Sequence, residues 1–388
     1  MVASDQIPGR TVRVCICDIG GSRSGPMTFS VTRRRKPRTR WPKAVDLFCG
    51  AGGLSQGLRR AGFRIVGAVE CDSLACSAYR LNHPRVKLWE ADIRVLSAAR
   101  IMRDLRIRPG QLSLLAACPP CQGFSTMRTK NGIRRNRDRR NDLICEVLRL
   151  VRSIRPVSVM VENVPGLAKT VRYRAFVKTL ESLGYFVKNG ILNTVDFNVP
   201  QSRRRLVLLA SKLGEPQFAP TATASLTVRS VIGNLESPRN SRDPLHNYSV
   251  RRSAKIKKLI RGIPVDGGSR RALGSANQLQ CHKRLARKLA GFHDVYGRMA
   301  WNKPAPTITG GCINPSKGRF LHPVANRSIT LREAALLQSF PRYYRFPLDR
   351  GRYPVAMLIG NALPPEFVRR HASALRKLAT QAERSVRE

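Results

Sequence analysis

Short apolar runs alternate with segments of helical spacing through the first half of the chain. The runs are partly β-branched and lie at 45–48, 65–69, 86–89, 112–117, 157–161 and 206–210. Between them, apolar residues recur every three or four positions at 54–61, 74–81, 95–105 and 143–154. Such alternation of strand and helix is typical of a parallel sheet covered on both faces. We therefore predict an α/β fold with a doubly wound, mainly parallel sheet.

The alternation stops after about residue 211. Residues 215–325 are rich in Pro, Gly, Asn, Ser and Arg and show few regular periods, so we predict a second, smaller and irregular domain. Thr330 and Glu333 have the spacing of a capping box, which predicts that a helix begins there. Residues 1–42 show neither period and end in the basic run 33–40, so we predict a basic, disordered tail.

The charge balance points to a polyanionic partner. The 388 residues include 71 Lys and Arg but 24 Asp and Glu, which gives a net charge of +47. Such an excess repels itself without a polyanion nearby, so nucleic acid is the first partner to consider and an anionic membrane surface is the alternative. The sequence has no apolar run of about 18 residues and no signal-peptide pattern, and its 10 cysteines show no disulfide framework. We expect a cytoplasmic location, associated with the nucleoid.

The segment CPPCQGFS, residues 118–125, directly follows the apolar run 112–117. Open α/β sheets place their chemistry at the carboxyl ends of strands. Cys121 stands between a proline pair and Gln122-Gly123, in a turn too stiff to be helical, so its thiol is a candidate nucleophile. A redox disulfide, half of a zinc site and plain packing are the alternatives, although no second Cys/His pair has zinc-ligand spacing.

A glycine turn joins the first predicted strand to the first predicted helix. Glycines at 50, 52 and 53 let the backbone approach a ligand closely. Glu70 ends the next strand about twenty residues on, where a carboxylate hydrogen-bonds ribose hydroxyls in dinucleotide folds. The turn predicts a nucleoside cofactor, and NAD stays an alternative even though the spacing departs from G-x-G-x-x-G.

Charged residues border two later strands. Glu162 follows the run 157–161 and could act as a general acid with a pKa raised by burial, or could merely cap a helix. Arg203 and Arg205 fall on one face of another strand, because strand side chains alternate. Two guanidiniums aimed the same way suit an anionic or carbonyl-bearing ligand, and a solvated charge run is the alternative.

These segments resemble, in order, the motifs of one family. DLFCGAGG, the glutamate of VECD, the aspartate of EADI, CPPCQGFS, ENV, QSRRR, REAALLQSFP and IGNALPP look like the successive motifs of the DNA (cytosine-5) methyltransferases of bacterial type. The resemblance covers roughly 43–212 and 296–368 and implies a Rossmann-like methyltransferase fold. It implies four parts: the tail at 1–42, a catalytic S-adenosylmethionine-binding domain at 43–212, a target-recognition domain at 213–352, and a segment at 353–388 that returns to the catalytic domain.

The resemblance also implies covalent chemistry on cytosine. Cys121 would add to carbon 6 of the base and so make carbon 5 nucleophilic toward a methyl group. Glu162 would hydrogen-bond N3 and the exocyclic amine, and Arg205 would bind O2. Arg203 would support the thiolate and Glu162, and the carbonyl of Pro119 would accept from the amine.

The cofactor that the resemblance implies is S-adenosyl-L-methionine. The expected contacts are Phe48 against the adenine, Gly50 and Gly52 beside the methionine part, Glu70 on the ribose, Asp92 and Ile93 at the adenine edge, and Asn361 from the C-terminal segment. Cys71 stands where some family members carry a large apolar residue, so weaker stacking on the adenine is expected. No metal site is expected.

Double-stranded DNA is the implied substrate, and the target base must leave the helix to be reached. The basic segment 122–142 is predicted to close over the DNA. A cognate restriction endonuclease is the expected partner, with no membrane, and the chain is expected to be a monomer. A tRNA methyltransferase of the same family and a catalytically inactive DNA-binding protein are the alternatives, and the intact motif residues argue against the second.

Overall fold

A seven-stranded sheet organises the part of the chain that the computed structural model describes, which is residues 41–120, 142–274, 279 and 294–385. The strands are β1 (Lys43–Leu47), β2 (Arg64–Glu70), β3 (Lys87–Glu90), β4 (Leu114–Ala117), β5 (Ser158–Asn163), β6 (Phe186–Asn193) and β7 (Arg204–Ser211). Their order is β3-β2-β1-β4-β5-β7-β6, and β7 runs antiparallel to both its neighbours while β1 to β5 are parallel. The predicted doubly wound, mainly parallel sheet is confirmed.

The four helices that the periodicity predicts and the helix predicted at Thr330 are present, one with a shifted start, and five further helices of the described residues were not predicted. They are α1 (Gly53–Arg60), α2 (Ser73–Asn82), α3 (Ala98–Leu105), α4 (Leu143–Ile154), α5 (Val171–Ser182), α6 (Val228–Ile232), α7 (Ala254–Gly262), α8 (Leu331–Leu337), α9 (Arg352–Asn361) and α10 (Pro365–Ser385). The segment predicted at 95–105 becomes helical only at Ala98, because the Ser97 side chain accepts from the amide of Arg100 and caps the helix there.

Strand β6 was not predicted, and the reason is its position. It lies at the edge of the sheet, and its side chains are half-buried or exposed along the whole length FVKNGILN. An edge strand needs no continuous apolar run, because only part of its surface faces a core. The period-based reading of the sequence therefore passes over it.

Alternate residues of the central strands supply two separate cores. Val45, Leu115 and Val159 face α3, α4 and α5, whereas Ala44, Ala116 and Met160 face α1 and α10. This alternation follows from the two-residue period of a strand. The face toward α1 and α10 also carries the polar residues of the candidate site.

The C-terminal helix packs tightly against α1 through a glycine. A Cβ on Gly57 would lie 2.5 Å from the carbonyl oxygen of Pro365 and would also overlap Val368. Residues from Trp41 to Glu388 form one compact unit, so the boundaries predicted at 212/213 and 352/353 stay predictions.

The region after β7 has its own core around α8. The predicted capping box is confirmed: Thr330 Oγ1 accepts from the Glu333 amide and Glu333 Oε2 accepts from the Thr330 amide, at 3.2 and 2.7 Å. Leu331 and Leu337 of this helix pack with Ile308 and Val355. Few regular elements occur in the described residues between 212 and 330, as the composition predicts.

Candidate active site

A carboxylate and a guanidinium meet where β5 ends and β7 begins. The Nε atom of Arg205 lies 2.8 Å from Oε1 of Glu162, and the two side chains are only 15% and 10% exposed. The antiparallel register pairs Glu162 with Val207, which places Arg205 just beyond the carboxyl end of β5. The two residues singled out from separate motifs therefore form one buried ion pair at the carboxyl edge of the sheet.

Arg203 is buried beside this pair but takes other partners. Its Nη1 donates to the carbonyl oxygens of Ile308 and Gly360, each at 3.0 Å. Its Nε has no hydrogen-bond partner among the described residues. Burial, together with the charge of Arg205, lowers the pKa of Arg203 to about 9, and the charge of Glu162 opposes the shift. The guanidinium therefore stays protonated at neutral pH and feels Glu162 electrostatically.

Residues 200–203 are joined to residues 305–308 by backbone bonds. The Ala305 amide donates to Pro200 and the Ser202 amide donates to Ala305, both at 2.9 Å. The Ile308 amide donates to Oε1 of the buried Gln201 at 2.8 Å. Sequence reasoning missed this connection, because nothing local in either segment predicts a partner about 100 residues away. Its effect is to fix the backbone on which Arg203 is mounted.

The described residues include Cys118, Pro119 and Pro120 of the CPPC segment but not Cys121. Burial raises the pKa of the Cys118 thiol well above its ordinary value, and the charge of Glu162 raises it further. Cys118 is therefore a neutral thiol at neutral pH and a poor nucleophile. The Pro119 carbonyl accepts from Nδ2 of Asn163 at 2.8 Å, which ties the end of β4 to the end of β5. Cys121 and residues 122–141 lie outside the described residues, so the nucleophile and the closing loop stay predictions.

The glycine turn after β1 is held by the carboxylate that ends β2. Glu70 Oε2 accepts from the Gly50 amide at 2.9 Å, and Oε1 accepts from the Cys71 and Asp72 amides at 2.8 and 2.9 Å. Phe48, Gly50 and Gly52 all have positive φ, at 61°, 53° and 93°. This turn is the left-handed backbone that glycine permits most readily. A Cβ on Gly50 would meet no atom within 4 Å, so space is open beside the turn.

The remaining predicted cofactor residues lie at neighbouring positions of the same edge. Asp92 follows β3 as Glu70 ends β2, and its Oδ1 accepts from the Arg94 amide at 2.9 Å. Ile93 is buried, and its carbonyl accepts from Nη2 of Arg149 at 2.8 Å. Asn361 ends α9, exposed, directly after the Gly360 carbonyl that binds Arg203. The structure does not test the individual ligand contacts assigned to these residues.

A buried polar network behind the glycine turn was not predicted. The Ser55 hydroxyl donates to Oδ2 of Asp46 at 2.7 Å, and the Tyr79 hydroxyl lies 2.7 Å from the same Ser55 oxygen. Burial raises the pKa of Asp46 to about 7, opposed by the hydrogen bonds from Ser55. Its other oxygen, Oδ1, has no partner among the described residues. An acidic residue inside an apolar strand, VDLF, is the one sequence feature that could have indicated this network.

The turn is also fixed from the C-terminal side. The Tyr344 hydroxyl donates to the Ala51 carbonyl at 2.6 Å, and a Cβ on Gly52 would lie 2.5 Å from that hydroxyl. Glycine at 52 is therefore required by packing as well as by φ. Across the described ranges, no group of three His, Cys, Asp or Glu side chains could hold a metal ion, and no helix there is long and apolar enough to cross a membrane.

Comparisons with known proteins converge on one family. The family model described as C-5 cytosine-specific DNA methylase matches residues 43–377. The Type II methylase M.HgiDII of Herpetosiphon aurantiacus is 35% identical over 347 residues, which cover 86% of this chain and 94% of the relative. The Type II methyltransferase M1.BsuMI of Bacillus subtilis is 33% identical over 346 residues, covering 83% and 78%. The structure of the Entamoeba histolytica methyltransferase EhMeth, 16% identical, shares the fold with a TM-score of 0.60 over 87% of this chain and 98% of that one.

Proposed function

The chain belongs to the C-5 cytosine-specific DNA methylase family, and we propose that it transfers the methyl group of S-adenosyl-L-methionine to a flipped-out cytosine through a covalent adduct at Cys121. Its enzyme class is DNA (cytosine-5-)-methyltransferase, and its relatives are bacterial Type II enzymes. The observation that carries the mechanism is the buried ion pair of Glu162 and Arg205 at the carboxyl edge of the sheet.

Carbon 5 of cytosine is a poor nucleophile until a group adds at carbon 6. The Cys121 thiolate makes that bond, and the electron pair of the C5–C6 double bond moves to carbon 5. Glu162 holds N3 and the exocyclic amine, where charge changes as the ring is attacked. Arg205 forms an ion pair with Glu162 and would bind the O2 of the base. After methyl transfer, loss of the carbon-5 proton and departure of the thiol restore the aromatic ring.

The glycine turn supports the cofactor assignment. When bound, S-adenosyl-L-methionine supplies an electrophilic methyl group on a positively charged sulfur. Open space beside Gly50 leaves room for the methionine part, and Glu70 and Asp92 end neighbouring strands at the edge where a nucleoside binds. Oε1 of Glu70 already accepts two backbone amides, whereas Oε2 accepts one and retains a lone pair for a ribose hydroxyl.

Duplex DNA is the proposed substrate because the family and its Type II relatives act in DNA modification. The target carbon is unreachable inside a duplex, so flipping the base costs a few kcal/mol before chemistry begins. A cognate restriction endonuclease is the proposed partner. We also propose the division into a catalytic part at 43–212 and a target-recognition part at 213–352.

Radiolabelled methyl transfer tests the proposal directly. Wild-type protein is expected to label duplex DNA and not tRNA, and bisulfite sequencing of that DNA is expected to place the methyl group on carbon 5. Cys121→Ser should reduce labelling to background while retaining DNA binding, because an alkoxide forms far less readily than a thiolate. Cys118→Ser is the matched control and should keep most of the activity, since Cys118 is a neutral thiol. Labelling of tRNA alone, or a reversed order of the two variants, would contradict the proposal.

A further inference from the structure

Helix α7 separates its apolar and charged residues onto opposite sides. Leu259, Ile260 and, just past its end, Ile263 are buried. They pack with other residues of the region that follows β7, which we call the second region. The cationic face of α7, by which we mean Lys255, Lys257, Lys258 and Arg261, is exposed. At 100° per residue, these four side chains centre on the side opposite the buried residues. The solvent-facing side of the helix is therefore strongly cationic.

The sequence around this face contains few carboxylates. Between residues 244 and 293 the sequence holds twelve Lys and Arg and a single acidic residue, Asp266. The Asp266 carboxylate already accepts from the Trp301 amide at 2.6 Å. In the portion of the chain that is described, none of the four cations forms an ion pair with a carboxylate. Within the described ranges, the positive charge of the face is therefore not neutralised by a carboxylate.

A buried arginine fixes the helix in place. Arg298 is 1% exposed, and its Nη2 and Nε donate to the carbonyls of Ile260 and Ile263 at 3.0 and 3.1 Å. Its Nη1 donates to the Ala325 carbonyl at 2.8 Å. A guanidinium that satisfies the carbonyls at the C-terminal end of α7 also complements the helix dipole. The four exposed cations are thus mounted on a rigid support.

We propose that the cationic face of α7 binds phosphates of the duplex and sets how the substrate DNA lies across the second region. The proposal rests on the proposed function for its DNA substrate. A nine-residue helix is about 13 Å long, and a duplex carries one phosphate per about 1.7 Å of axis, so each of the four cations can meet a phosphate. Phosphate contacts of this kind position a protein without reading sequence.

An anionic membrane surface fits this face less well. Amphipathic helices that bind bilayers insert their apolar side among the acyl chains. The apolar side of α7 is already buried against Leu273, Tyr296 and Leu321. The exposed side of α7 can therefore bind a partner through charge alone, if that partner carries its charges at regular spacing along a rigid rod.

The test removes the four charges together, as Lys255→Gln, Lys257→Gln, Lys258→Gln and Arg261→Gln. Duplex affinity is measured across a salt series, and the slope of log affinity against log salt is compared with that of the wild type. The slope should become shallower by about 3.6 if all four cations contact phosphates, and by about 1.8 if two do. Extrapolated from 1 M, a change of 1.8 corresponds to about 60-fold weaker binding at 0.1 M salt. The methylated sequence should not change.

A second variant serves as a control and removes four charges at the amino ends of the strands, away from the candidate site. Arg64, Arg85, Arg108 and Arg155 are exposed and lie at or before the amino ends of β2 to β5. Changing these four to Gln should shift the slope by less than about 0.9. Equal shifts in the two variants would mean that net charge alone matters, and no shift in the α7 variant would overturn the proposal. Weaker binding of tRNA or of anionic vesicles, with duplex affinity unchanged, would also overturn the proposal.

Two further measurements distinguish a loss of DNA contacts from misfolding and from failure of the proposed function. Thermal melting of the α7 variant should match the wild type, and if it does not, the double variant Lys255→Gln, Lys257→Gln should show about half of the slope change. Absence of methyl transfer by the wild type would contradict the proposed function, whereas the salt slopes would still decide the role of α7.

Discussion

The sheet and the region that follows it bury polar groups for different reasons. In the sheet, backbone groups pair along the strands, and the buried charged side chains gather at the carboxyl edge, as Glu162 and Arg203 do. In the second region, which has few regular elements, buried arginines donate to backbone carbonyls: Arg298 to Ile260 and Ile263, and Arg332 to Tyr344. Buried backbone carbonyls need donors wherever they lie. Buried charged side chains therefore support folding in the second region, whereas at the sheet they also form the candidate site, and Arg203 does both.

The sharpest test of this contrast is Glu162→Gln. Turnover should fall about 10²- to 10⁴-fold, as is usual when a residue acting on protons or charge in the transition state is lost. DNA affinity and melting temperature should change little, because an amide can still accept from Arg205. Turnover and thermal unfolding are measured on one preparation. A large loss of stability with full activity per folded molecule would place Glu162 with the structural residues instead.

Arg298→Met should show the reverse pattern. It leaves several buried carbonyls without a donor, and each buried polar group left unsatisfied costs about 1–3 kcal/mol of unfolding free energy. Chemical denaturation measures that loss, and any activity of the remaining folded fraction should be close to normal. Arg298→Lys should recover only part of the stability, since lysine lacks the planar fork. An unchanged denaturation midpoint would remove Arg298 from the framework of the second region.

The buried Asp46 predicts how the stability of the sheet depends on pH. Burial raises its pKa to about 7 from the ordinary 3.8, so the folded state binds the proton more tightly than the unfolded state. Stability should therefore fall as pH rises from about 4 to about 7, by up to about 4 kcal/mol, and then level off. Asp46→Asn stays neutral and should remove this component. Denaturation curves of the wild type and of Asp46→Asn at pH 5 and 8 test this prediction. If the stability of the two proteins changed with pH in parallel, Asp46 would have no raised pKa.

The smallest expected effect comes from glycines in the two regions. Gly57→Ala should cost about 1–3 kcal/mol, because the new Cβ would overlap the fixed Pro365 carbonyl between α1 and α10. Gly274→Ala, in the second region, meets no atom within 4 Å and should be nearly neutral. Thermal melting of the pair gives the difference. Similar losses in both variants would mean that the loss at Gly57 does not come from its contact with Pro365 and Val368.

Sequence reasoning succeeded where the information is local. The central strands are apolar runs, and the capping box of α8 needs only Thr330 and Glu333, so both were predictable. The pairing of Glu162 with Arg205 follows once their motifs lie on neighbouring strands, although only the resemblance assigned them a common role. The edge strand β6 and the carbonyl partners of Arg203 depend on tertiary position, which no local pattern encodes. Cys121 lies outside the described residues and stays a prediction.

The junction between residues 200–203 and 305–308 limits how this enzyme can be recombined. Arg203 donates to the carbonyl of Ile308, and Ala305 pairs with Pro200 and Ser202, so residues 305–308 are fixed to the sheet although they lie within the part, 213–352, that we propose for target recognition. A chimera that imports recognition residues from a relative should therefore cross over before residue 305. Grafting as far as 352 would replace the segment that holds Arg203 along with the residues proposed to set specificity. The hybrid would then have a new target sequence but a displaced Arg203.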